Sequence, residues 1–475
     1  MADYVGNAFA YLIAQSSAWK TTYFPKVSDI LQRHGKLQRL MPKTPHVLDG
    51  PSEEFTAKTA HNRTTRVTMD PMEAMPDPGP GRYCTFPVTW DHSDGGASND
   101  FMMTEIAWRT TIFDMKKKGD RAFKGGKDPI ATDFEEGLAD VKETYTKYFF
   151  LPTDGKLCTL HATASKKADD TDNWTGASVY GAGATHCRLR IADNSIARIG
   201  IGQIVEIRTT AGVLIVNNLR VINVHSRDQT FDVELLTGER NSVDGGDVDV
   251  ANLDDITHGY YVYLSGNYNV GVTGSLAHFF DDTATYYTRT RTDSPYQVLM
   301  PLVHALGTDI ALTEKHIVEA GIAAQWAAGD SNAKVNRVMC MARDQWWAMR
   351  NLARDSNITM SPGTGDGLKR NIGEVGYKFY DPAFGDVPIV VEDFAEYGEI
   401  TLLDMNTWLL VHPFAGGGFQ MLPGDVGGMW TRNTENDGSG RPSKIWSAQG
   451  MQAHTYVNLG ARKNIQLQGL DPAAG

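Results

Sequence analysis

The chain has 475 residues, which at about 150 residues per domain sets an expectation of roughly three folding units. Apolar residues make up 41% and charged residues 21%, values typical of folded globular chains and too apolar for wholesale disorder. The 45 Lys and Arg against 57 Asp and Glu leave a formal net charge of −12, which argues against a protein that coats nucleic acid by charge but is compatible with an acidic wall around it.

No apolar run reaches the length of about 18 residues that a membrane span needs. The opening MADYVGNAFAYLIAQSS lacks the basic start and apolar block of a secretory signal, so synthesis in the cytoplasm is expected. The cysteines Cys84, Cys158, Cys187 and Cys340 form no CxxC pair, which argues against a zinc ribbon and a disulfide framework. The 47 glycines cluster between short β-like runs and predict many turns.

Two helical patterns open the chain, one through Val5, Phe9, Leu12 and Ile13 and one through Val27, Ile30, Leu31, His34 and Leu37. Pro25 separates them, and Trp19, Tyr23 and Phe24 add apolar surface between them. This segment suits either a cap on the main core or an arm packed on a neighbouring subunit. Residues 55–69 then read as extended, rich in β-branched Thr and Val. The run DPMEAMPDPGPG (70–81) carries four prolines and two glycines and is neither helix nor ladder. Residues 82–90, with Tyr83, Phe86, Val88 and Trp90, are extended again. The result is a long hairpin with a proline-rich tip. A lone hairpin is marginal in water, so it must lie on the body of this chain or on another copy.

Residues 101–118 read as helical, stopped at Lys116-Lys117-Lys118-Gly119. A longer helix follows over 128–150. Asp128 is a suitable N-cap, Pro129 suits the first helical position, and Ile130, Phe134, Leu138, Val141, Tyr145 and Tyr148 step by three and four along one face. Beyond Thr153 the period changes to two. Short strands are predicted over 188–191, 203–209, 213–217, 219–225, 230–236 and 259–264, with turns at Gly212, Asn217-Asn218, Asp228 and Gly238. Their spacing predicts a small antiparallel barrel or sandwich, set into the chain between helical regions. The last third alternates. Helices are expected over 313–328 and 344–354, and strands over 335–341, 387–391, 400–403, 408–411, 453–459 and 464–467, an α+β pattern.

Motifs for chemistry are sparse. The chain has no Walker A sequence, HExxH or GxSxG, and no GxGxxG between a strand and a helix. No two of its 13 histidines lie within five residues. The acidic run Asp244, Asp247, Asp249, Asp254 and Asp255 suits either calcium or a solvated loop, and its spacing favours the loop. Asp281-Asp282 and Glu135-Glu136 are adjacent carboxylates whose side chains diverge, so they make poor catalytic pairs. Tyr260, Tyr261, Tyr263, Tyr286 and Tyr287 suit a sugar-stacking surface less well than a half-buried core. Cys340 reads as a small buried hydrophobe. No catalytic, cofactor or metal site is expected.

The order of parts says more than any motif. An N-terminal helical segment, a long hairpin and one long amphipathic helix precede an α+β body. That body contains VNRVMCMARDQWWAMRNLARD (335–355), FGDVPIVVEDFAEYGEITLLDMNTWLL (384–410) and AHTYVNLGARKNIQLQGL (453–470). This order resembles the major capsid proteins of tailed bacteriophages, the Hong Kong 97 fold. The resemblance implies an N-terminal arm over 1–50, an extended hairpin loop over 51–100, and a peripheral domain over 101–154 with its spine helix at 128–150. It further implies an inserted β-rich domain over 155–295 and an axial domain with a return to the peripheral domain over 296–475. The implied function is self-assembly into hexamers and pentamers of an icosahedral virion shell around packaged double-stranded DNA, with scaffolding, portal and decoration proteins as further partners. Inter-subunit contacts are expected at Trp19, Tyr23, Phe24, Val67, Met69, Met72, Met75, Tyr83, Phe86 and Trp90. The alternatives are a tail or decoration protein, or a carbohydrate-binding or carbohydrate-active protein built on the β-domain tyrosines.

Overall fold

The computed structural model describes residues 35–42, 45–60, 82–90, 100–111, 141, 143–152, 154–161, 186–192, 195–226, 228–236, 259–268, 274–281, 285–293, 296–328, 336–355, 361–362, 377–381, 385–413, 419–421, 431–432 and 445–471. It is a mixed α+β fold, mostly strands with few helices. The chain divides into two compact units, the first from Met1–Thr146, Tyr287–Arg289 and Met405–Leu459, the second from Lys147–Tyr286, Thr290–Asp404 and Gly460–Gly475.

The first unit is organised by the strand Ile445–Asn458. On one side it pairs antiparallel with Met102–Thr111 over ten positions, from Ile445↔Thr111 to His454↔Met102. Its C-terminal half also pairs with Trp408–His412, which takes the short strand His46–Val47 in parallel. The strand Met102–Thr111 corrects the helix expected over 101–118; residues 112–118 lie outside the described residues. The physical reason is that Thr104, Ile106, Thr110 and Thr111 are β-branched and Trp108 is aromatic, types that fit a pleated ladder better than a helix. A second pair in this unit, Ser52–Ala60 with Arg82–Thr89, runs antiparallel from Ser52↔Thr89 to Ala60↔Arg82. These are the two arms of the expected hairpin, and its proline-rich tip lies outside the described residues. Of the helix expected over 128–150, residues 141 and 143–150 are described and are helical. Val141, Tyr145 and Tyr148 of its apolar stripe are buried.

In the second unit, six strands follow the order Cys158–Thr159, Tyr261–Leu264, Ile204–Arg208, Leu214–His225, Thr230–Leu235 and His186–Arg190, all antiparallel. A bridge between Leu160 and Ile191 joins the first strand to the last, with His161 N donating to Arg190 O at 3.0 Å and Ala192 N to Thr159 O at 2.8 Å. The sheet thus closes into a barrel, which removes its edges. Alternation fills it: Val205 and Ile207, Val216, Leu219 and Val221, Phe231 and Val233, and Val262 are all buried. The turn expected at Asn217-Asn218 is instead a bulge inside one continuous strand, Leu214–His225. Two partners on one strand, Val205 and Ile207, face Leu219 and Val216, and Asn218 takes up the extra residue at φ +54°. Asn tolerates this left-handed conformation better than other side chains, so the ladder continues past it.

The same unit holds a seven-stranded mixed sheet in the order Leu302–Ile310, Ile465–Leu470, Ile400–Asp404, Arg337–Met341, Gly385–Val391, Tyr377–Asp381, Ser361–Pro362. The helices Glu314–Ala328 and Arg343–Asp355 contribute to its core, where Ile317, Ala320, Ala324 and Met349 pack with Met339, Met341, Ile389, Ile400 and Leu402. Ile317, Ala320 and Ala324 repeat at helical spacing and give the first helix its inner stripe. Where Leu302–Ile310 runs parallel to Ile465–Leu470, the register shifts between Ala305 and Ile310. Gly469, at φ +83°, brings its backbone against the Gly307 carbonyl so closely that a Cβ would collide with it.

Candidate assembly surfaces

The hairpin base is built from alternation. Along Arg82–Thr89, Cys84, Phe86 and Val88 point inward and are buried, while Tyr83 points outward and is 60% exposed. Phe55 faces Phe86 across the pair with ring centroids 6.3 Å apart. Phe86 stacks in turn on Tyr287 at 5.6 Å. The Tyr287 hydroxyl donates to the Tyr456 carbonyl at 2.7 Å and lies 3.0 Å from Thr455 Oγ1. His46 sets its ring edge-on to Phe55 at 5.4 Å and pairs with Glu53 at 2.8 Å. Burial of each phenyl ring contributes about 1.5–3 kcal/mol.

Phe86, expected at an inter-subunit contact, has no exposed surface within its own chain, because strand parity sends it to the inner face beside Tyr287. Tyr83 is on the open face. Trp90 is half-buried, edge-on to Phe101 at 5.5 Å. Trp19, Tyr23, Phe24, Val67, Met69, Met72 and Met75 lie outside the described residues. At the end of the pair, Asp100 Oδ2 accepts from the Thr89 amide at 2.9 Å, and burial pushes its carboxyl up to about 6 against that hydrogen bond.

Two exposed tryptophans were missed by sequence reasoning. Trp326, in the helix Glu314–Ala328, is 78% exposed, and Trp347, in Arg343–Asp355, is 48% exposed. The Arg350 guanidinium lies over Trp347 at 5.0 Å and over Trp346 at 5.6 Å. Adjacent helical residues point about 100° apart, so Trp346 and Trp347 cannot both face one core, and that signal was available in the sequence. The barrel turns expose Ile201 and Val213. On its outer side Arg188 bridges Asp232 at 2.6 Å and His225 joins it at 2.9 Å. Burial raises Asp232, but these two partners outweigh it and hold the carboxyl below its usual range.

The second unit also contains a cavity of about 580 Å³, with Phe150, Leu276, Phe280 and Val303 on its lining together with Glu396 and Glu399. Among the described residues no group of His, Cys, Asp and Glu is placed to hold a metal ion, and Asp244 to Asp255 lie outside them. The tyrosines stand mostly in cores. Tyr286 and Tyr287 are buried, Tyr263 is buried with its hydroxyl donating to Asp154 at 3.0 Å, and Lys156 lies over the half-buried Tyr261 ring at 4.7 Å. No described helix is long and apolar enough to cross a membrane.

No protein-family model matches the chain, and no curated protein matches it in sequence. Among solved structures it is similar to the capsid asymmetric unit of cyanophage A-1(L), at 10% identity over 91% of this chain and 92% of that one, with a TM-score of 0.41. It is similar to a chain of Mycobacterium phage Patience at 10% identity, covering 96% of this chain and 89% of that one, with a TM-score of 0.37. It is also similar to the capsid of a native GTA particle at 7% identity, covering 92% and 91%, with a TM-score of 0.36.

Proposed function

We propose that the chain is the major capsid protein of a tailed bacteriophage, with a Hong Kong 97-like fold, assembling as hexamers and pentamers into an icosahedral shell around packaged double-stranded DNA. The observation that carries this reading is the two-stranded pair Ser52–Ala60 and Arg82–Thr89, anchored through Phe86 on Tyr287 while Tyr83 on its other face is 60% exposed. Such a pair cannot stabilise its own outer face, and a neighbouring copy is its natural cover. On this reading, residues 1–50 are the arm, 51–100 the extended loop, 128–150 the spine helix, and the barrel an insertion within 155–295. Scaffolding, portal and decoration proteins belong to the same reading as further partners. The net charge of −12 suits a shell whose genome is pumped through it, since a basic lining would hold DNA by its phosphates.

The test is negative-stain electron microscopy with light scattering on the protein expressed alone and with its scaffold. Shells or capsomer rings are expected. Replacing residues 64–81 by a short Gly-Ser linker keeps the described strands and Phe86, and is expected to leave a folded chain that makes no shells. Wild-type-like particles from that variant overturn the hairpin assignment, and a monomer under every condition overturns the capsid reading.

A further inference from the structure

The cavity in the second unit has a lining of two chemical kinds. Phe150, Leu276, Phe280 and Val303 are apolar; Glu396 and Glu399 are carboxylates. At about 580 Å³ it falls within the size of small-ligand sites. The carboxylates on the lining are unequally matched. Glu396 is paired: Arg198 Nη2 reaches its Oε2 at 2.6 Å, and the same guanidinium, 2% exposed, donates to the Phe394 carbonyl from Nε at 3.2 Å and Nη2 at 3.0 Å. Lys147 Nζ lies over the Phe394 ring at 5.6 Å. Glu399 instead receives a neutral donor, the Gln466 amide, at 2.5 Å, and Gln468 Nε2 donates to Gln466 Oε1 at 2.8 Å. Asp281, also on the lining, adds a third carboxylate.

We propose that this cavity binds a primary alkylammonium ion, its charge against Glu399 and its alkyl chain against the apolar side chains. An ammonium group has three donors, and the lining supplies the Glu399 carboxylate, the Gln466 and Gln468 amide oxygens and the Thr401 hydroxyl as acceptors. A bare metal ion would leave the apolar side chains unused, and no metal-holding group is present among the described residues. Burial, then the neighbouring Glu396 charge, push the Glu399 carboxyl up to about 8, with Arg198 acting the other way. A bound cation reverses that penalty, so binding is coupled to loss of the Glu399 proton.

The experiment is isothermal titration of the full chain with n-butylammonium at pH 7, repeated in two buffers of different ionisation enthalpy. Saturable binding with release of about one proton per ligand is expected, tightening as pH rises from about 6 to 8. Glu399→Gln is nearly isosteric; with an unchanged melting curve it is expected to bind about tenfold or more weaker and to release no proton. Val303→Phe, which enlarges an apolar side chain of the lining, is expected to weaken binding as well. Absence of saturation below about 10 mM, undiminished affinity in Glu399→Gln, or equal affinity for n-butanol each overturn the proposal. The readout does not depend on shell formation, so its failure leaves the capsid reading untouched.

Discussion

Phe86 and Tyr287 stack with ring centroids 5.6 Å apart and planes 22° from parallel, and through them the hairpin base is held to its own chain. Tyr287 sits at φ +45° and Thr288 at φ +67°, left-handed values that ordinary side chains avoid and that surrounding contacts must hold in place. Among these contacts are the stack itself and the Tyr287 hydroxyl's hydrogen bonds with the Tyr456 carbonyl and Thr455 Oγ1.

Phe86→Ala removes a fully buried ring between Phe55 and Tyr287 and is expected to cost about 3–5 kcal/mol. Tyr287→Phe keeps the stack but loses one hydroxyl and leaves the Tyr456 carbonyl short of a donor, at about 1–2 kcal/mol. Urea denaturation of both variants checks the order. Equal losses would show that burial of the Phe86 ring contributes no more than the one hydrogen bond, and would overturn the predicted order.

Gly469→Ala is expected to destabilise the second unit by about 2 kcal/mol or more, because both causes act together: a positive φ and a Cβ driven into the Gly307 carbonyl. Gly202→Ala is the control. Gly202 has φ +88° but open space around its Cβ, so only the backbone term applies and the loss is about 1 kcal/mol. Thermal melts of the two variants separate the contributions.

His454 is buried between the Tyr145 ring at 3.9 Å and the Tyr456 ring at 5.9 Å, with His412 nearby, and burial followed by the His412 charge holds it well below the usual histidine range. Its Nδ1 has no hydrogen-bond partner among the described residues. The folded state therefore keeps this ring neutral, while the unfolded chain takes up a proton below about pH 6.5. The unfolded state then binds more protons, so stability falls as pH drops through that value. Denaturation midpoints at pH 7.5 and pH 5 are expected to differ more in the parent than in His454→Phe. Equal differences would show that His454 is not among the groups responsible for the acid loss.

The barrel was legible because each strand carries its own evidence: Val205 and Ile207 alternate with polar neighbours whatever they pair with. Met102–Thr111 was not, since its ladder partner Ile445–Asn458 comes from the far end of the chain and the local pattern of Phe101, Met102 and Ile106 imitates a helix. Parity along Arg82–Thr89 sends Tyr83 and Phe86 to opposite faces, a distinction that the expectation of both as inter-subunit contacts did not draw. Parity alone does not show which face meets this chain's own core, because Tyr287 enters from another part of the sequence. Glu399 was silent for the same reason: its cavity is assembled from segments around residues 150–152, 276–281, 303–305, 340, 395–401 and 466–468, and no local pattern marks a carboxylate for such a place.

Trp326 offers the sharpest test of an assembly surface among the described residues. The helix Glu314–Ala328 buries Ile317, Ala320 and Ala324, and Trp326 falls off that stripe with 78% of its surface exposed. A side chain so exposed contributes little to the fold of a single chain, so Trp326→Ala is expected to shift stability by no more than about 0.5 kcal/mol. At an interface the same indole is a typical anchor, and its truncation costs about 2 kcal/mol or more, roughly a thirtyfold loss of association. Sedimentation velocity across a concentration series, with a melt on the same sample, reads both quantities at once. Weakened association at unchanged stability assigns the Trp326 face to a neighbouring copy; lost stability with unchanged association places the indole inside its own chain and removes that face from the assembly surface.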